Sequence, residues 1–97
     1  MADFIFLMHN DSHADASPPM WEAYISELRR IGAFEGGSAI GEGTAFRKDS
    51  PTGPESSYLG GYIRIRADSF EDARRHLSGN PVFESGGTVE IRELPAN

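Results

Sequence analysis

Cysteine is absent from this 97-residue chain. Its absence removes disulfides, a thiolate nucleophile and any Cys-ligated zinc or iron–sulfur centre together, so redox chemistry would need a borrowed group. Basic residues are scarce: nine against fifteen acidic ones give a formal charge of −6. Such a balance repels phosphate backbones and favours solubility, and no nucleic-acid partner is expected. Long apolar runs are missing too. The longest, Phe4 to Met8, is too short for a membrane span or for the apolar region of a secretory signal, and no basic segment precedes it. These absences lead to the expectation of a cytoplasmic chain with no membrane partner and no cofactor.

What is present suffices for one domain, residues 1–97, with a single modest core. Asp3 to His9 reads as a strand, apolar at both parities, so both of its faces should be covered. Asn10 to Pro19 is a polar loop leading into a helix from about Pro18 to Ile31. Met20, Tyr24, Leu28 and Ile31 repeat there at helical spacing with Trp21 and Ile25 beside them, and Gly32 ends it. Ala33 to Arg47 contains a short extended pair broken by glycines 36, 37, 41 and 43, consistent with a weak or bulged strand and a turn, and Lys48 to Tyr58 reads as a surface loop. Gly61 to Ala67 is a second clear strand. Ser69 and Asp72 resemble a capping box ahead of a short helix bearing Phe70, Ala73 and Leu77. A connection through Asn80-Pro81 and Gly86-Gly87 leads to a last strand, Thr88 to Leu94.

The order β-α-β-β-α-β predicts an α+β ferredoxin-like sandwich: a four-stranded antiparallel sheet, two helices on one face, and the first and third strands in the middle. The other face is left bare. A first strand apolar on both sides implies that this face is closed by a second copy, so a homodimer is expected.

Period-two alternation turns Ile63, Ile65, Val89 and Ile91 towards the helices and Tyr62, Arg64, Arg66, Glu90 and Arg92 to the opposite face. Enclosed between subunits, three guanidinium groups and one carboxylate must pair or await a ligand. A small organic anion fits the surplus charge, because guanidinium forks onto carboxylate or phosphate. The competing expectation is intersubunit ion pairing with helix carboxylates such as Glu22 or Glu27, or a place at a wet rim.

Several stretches carry a family likeness: FIFLMH, the helix with Trp21, Tyr24 and Leu28, Gly36-Gly37, LGGYIRIRADSFEDARRHL, Asn80-Pro81 and GGTVEIREL. Through them the chain resembles the YCII-related proteins, particularly the DGPF-motif subgroup, over nearly its whole length. The resemblance implies a dimeric α/β barrel and no assigned reaction. Where the subgroup has Asp-Gly-Pro-Phe, this chain has Thr52-Gly53-Pro54-Glu55, and it has no histidine between Ala14 and Arg75 to supply the family's His-Asp pair.

His9, at the end of the first strand, is the candidate for proton transfer in an alternative reading as an isomerase, lyase or hydrolase. His9, Asp11 and His13 alternate in a way that suits a divalent metal, yet their spacing is loose and no metal is assigned. Trp21 joins the candidate ligand-binding residues as a pocket floor, although large aromatics at helical spacing usually belong to the core.

Overall fold

A computed structural model describes residues 1–54 and 56–96. Six strands and three helices follow in the order β1 (Ala2–His9), α1 (Pro18–Arg30), β2 (Phe34–Ala39), β3 (Thr44–Arg47), β4 (Ser50–Pro54), β5 (Leu59–Ala67), α2 (Phe70–Arg75), α3 (Pro81–Glu84) and β6 (Val89–Leu94). Four strands form one antiparallel sheet in the order β2-β5-β1-β6, with β5 and β1 central. No helix among the described residues is long and apolar enough to cross a membrane.

Alternation along β1 and β5 sorts the core. Phe4, Phe6, Met8, Ile63, Ile65 and Ala67 are buried beneath the helices, joined by Tyr24 and Leu28 of α1 and Ala73 of α2. Val89 and Ile91 pack against them from β6. Only the middle of the expected α1 stripe is buried. Met20 and Ile31, at its two ends, are exposed.

Local chemistry fixes the helix boundaries. Pro18 and Pro19 occupy the first turn of α1, where a missing N–H costs nothing. At the other end Gly32, with φ of 75°, lets its own N–H reach the Arg29 carbonyl and the Ala33 N–H reach that of Leu28. This is the paired closure that a left-handed residue permits. Ser69 caps α2 by accepting from the Asp72 N–H, while the Asp72 carboxylate accepts from the Asp68 N–H.

The structure adds two elements. Residues 44–54 form a β3–β4 hairpin, a two-stranded sheet of its own where most of the segment read as loop. Pro81–Glu84 is a one-turn helix inside the expected connection, started by the buried Asn80, whose Oδ1 accepts from the Val82 and Phe83 N–H groups. In the segment Thr52-Gly53-Pro54-Glu55, the first three residues belong to β4, and Glu55 lies outside the described residues.

The Tyr24 hydroxyl donates to the His76 carbonyl at 2.6 Å, tying α1 to the end of α2. Burial pushes this phenol up to about 12, an effect the Asn80 side chain partly offsets. A raised folded-state value means the stabilising contribution is complete below the unfolded value near 10 and fades as pH rises towards 12. We expect wild-type stability to fall by roughly 2–3 kcal/mol across that window beyond what Tyr24→Phe loses. Thermal melts of both proteins between pH 9 and 12 measure the difference, and parallel pH curves would contradict it.

Candidate functional site

Strand register assembles the face of the sheet that the helices leave open. Directly opposite residues share a face in an antiparallel pair, so Ser38, Tyr62, Leu7 and Glu90 make one row across the sheet. Gly36, Arg64, Ile5 and Arg92 make the next, and Arg66, Asp3 and Leu94 a third. Tyr62, Arg64, Arg66, Glu90 and Arg92 thus occupy one surface. Ile5 and Leu7 form an apolar strip between the two flanking strands and are only half covered.

The three arginines differ in their partners. Arg92 donates to the Glu90 carboxylate at 2.5 Å. Arg66 lies between two carboxylates, 3.5 Å from Asp3 and 3.8 Å from Glu35. Arg64 has no carboxylate partner among the described residues; its Nη2 donates to the Glu35 backbone carbonyl at 3.0 Å. A bulge between Phe34 and Gly36 places its guanidinium over β2, and Gly36 has φ of 138°, a conformation that L side chains rarely adopt. Within one chain Glu27 is bonded to Arg30 on α1.

His9 ends β1, where the pairing with β5 shifts register. Its ring meets Tyr58 edge to face at 5.0 Å. Nε2 is buried, has no hydrogen-bond partner among the described residues and lies 3.5 Å from Glu90 Oε1. The Arg92 guanidinium holds the Glu90 carboxyl below the usual carboxylate range, with His9 adding a smaller pull in the same direction. A charged carboxylate therefore stands beside the imidazole at neutral pH.

Asp11 does not converge with the two histidines. Its Oδ1 accepts from the Thr88 N–H at 2.8 Å and its Oδ2 from the Thr88 hydroxyl at 2.7 Å, which also lowers its pKa. This carboxylate fastens the loop after β1 to the start of β6. No trio of His, Asp or Glu able to hold a metal occurs among the described residues.

Trp21 is separated from the arginines by the sheet. It packs edge to face on Tyr24 at 6.2 Å and lines two cavities on the helix side, of about 230 and 510 Å³. Neither cavity is lined by Arg64, Arg66 or Arg92. The ligand-binding group expected from alternation is thus brought together without its aromatic floor, and Tyr62 is the aromatic residue that shares its surface. Sequence reasoning missed Asp3 and Glu35, whose role depends on the β1–β5 register and the β2 bulge; the alternation of Asp3 with Ile5 and Leu7 was the available signal. No protein-family model matches the chain, and no curated protein matches it with significant similarity.

Proposed function

We propose that the chain is a binding module of the YCII-related kind, a ferredoxin-like sandwich whose open sheet face pairs with a second copy into a dimeric α/β barrel. The enclosed surface takes a small organic anion. Arg64 carries this reading: it is the cation of the open face that no described carboxylate neutralises, and its guanidinium keeps donors free to fork onto an acid. Ile5, Leu7 and Tyr62 beside it offer an apolar bed for the rest of the ligand. Arg66 and Arg92, already paired, frame the site.

A ligand at a hundred times its Kd stabilises by about 2.7 kcal/mol, a rise in Tm of more than about 10 °C for a domain of this size. Across a panel of small carboxylic acids, we expect at least one such shift in wild type, its loss in Arg64→Met and its retention in Arg66→Met. A panel that shifts nothing, or shifts Arg64→Met equally, refutes the reading.

The buried Nε2 of His9, without a hydrogen-bond partner among the described residues and beside ionised Glu90, favours a second reading, proton transfer on the bound acid by an enzyme of isomerase, lyase or hydrolase type. It predicts that His9→Gln keeps the thermal shift but abolishes deuterium exchange into the ligand. No exchange in wild type leaves binding alone.

A further inference from the structure

We infer that the β3–β4 hairpin is a clasp for the second copy: in the pair, each hairpin reaches across to the other chain and buries Phe46 there. This rests on the self-pairing proposed above and adds the element that secures it.

Among the described residues the hairpin joins no other sheet: residues 44–47 are exposed throughout, and β3 and β4 pair with each other. A two-stranded ribbon is marginal in water unless something packs on it. Phe46 is 76% exposed, and Ile40 and Tyr58, flanking the ribbon in sequence, are exposed as well. The described residues are correspondingly thin and spread, measuring 45 × 37 × 18 Å with a radius of gyration of 14.7 Å, against about 12–13 Å for a compact domain of this length.

Charge identifies the occupant. The whole chain carries −6, yet the open face balances Arg64, Arg66 and Arg92 against Asp3, Glu35 and Glu90. A neutral surface of interleaved signs accepts its own copy without the repulsion that the rest of the molecule would impose.

Area explains why a clasp is needed. Four strands about 4.8 Å apart and six to nine residues long span roughly 400–550 Å² in projection, a modest footprint beside the ~800 Å² of accessible surface per partner usual in stable complexes. The ribbon extends the contact beyond the sheet.

The test is sedimentation over a dilution series for wild type, Phe46→Ser and a variant with residues 43–56 replaced by a short Gly-Ser turn, each checked for unchanged far-UV circular dichroism. A self-pairing wild type, with a dimer Kd raised about tenfold or more by Phe46→Ser, supports the clasp. Phe46→Ser needs no ribbon refolding, so it decides the matter even if the replacement variant does not fold. A self-pairing wild type whose Kd changes less than threefold in Phe46→Ser overturns the clasp while leaving the face-to-face pair intact. A wild type that stays monomeric at 100 µM removes the pairing itself.

Discussion

Replacing Phe6 with alanine should remove about 3–5 kcal/mol of folding stability. The ring lies at the centre of β1 with no exposed surface, between Ile63 on β5 and Ile91 on β6. Truncation forfeits its transfer free energy and opens a void that two strands hydrogen-bonded on either side cannot collapse to fill. Against a total of 5–15 kcal/mol for ordinary domains, such a loss corresponds to a fall in Tm of roughly 15–30 °C. Urea titration with an unchanged m-value measures it. Leu7→Ala, the neighbouring residue on the open face, supplies the control. In a dissociated chain it should cost less, because Leu7 is only partly buried. If the open face is covered by a second copy, its cost should grow with protein concentration. Equal effects at Phe6 and Leu7 in dilute solution would contradict the assignment of core and open faces.

Asn80→Ala should cost about 2–4 kcal/mol. Asn80 is fully buried, accepts from Val82 N–H at 3.0 Å and Phe83 N–H at 3.1 Å, and its Nδ2 contacts the Met8 sulfur at 3.6 Å. Alanine leaves two part-buried N–H groups at the start of α3 without an acceptor and breaks the link from that turn to β1. The penalty arises mainly from unpaired donors, since a buried polar group stripped of its partner bears its full desolvation cost. Denaturant titration gives the loss, and hydrogen exchange should show the Val82 and Phe83 amides released together. A change below 1 kcal/mol would mean that the turn reforms with water in place of the amide.

How much of this was legible in the residues depended on the range of the interactions. Phe4, Phe6 and Met8 against Ile5 and Leu7, and Ile63 and Ile65 against Arg64 and Arg66, divide the sheet faces by alternation alone. Gly32 and Ser69 mark helix ends through chemistry contained within a few positions. The β3–β4 ribbon was hidden because Pro51, Gly53 and Pro54 are turn formers, and one turn of helix at Pro81–Glu84 is too short to show periodicity. The site was legible as a set of charges on one face, not as a set of pairs. Glu90 meets Arg92 along the same strand, whereas Asp3 and Glu35 reach Arg66 only through a register and a bulge that no local pattern specifies. Trp21 fell on the wrong side because helical spacing says which residues share a face of α1 but not which face of the sheet that helix covers.

The place of β1 in the sheet also bears on how the molecule forms. Its two neighbours, β5 and β6, lie about fifty and eighty residues further along the chain. Strand pairing over such separations closes large loops before any packing compensates, which slows folding relative to helical domains of equal length. Until β6 arrives, the stretch Phe4 to Met8 is a greasy ribbon with an unsatisfied backbone edge, the form in which nascent polypeptides adhere to one another. The most protected strand of the finished molecule is therefore its most vulnerable one beforehand, and yields on refolding should decline with concentration well before native stability does.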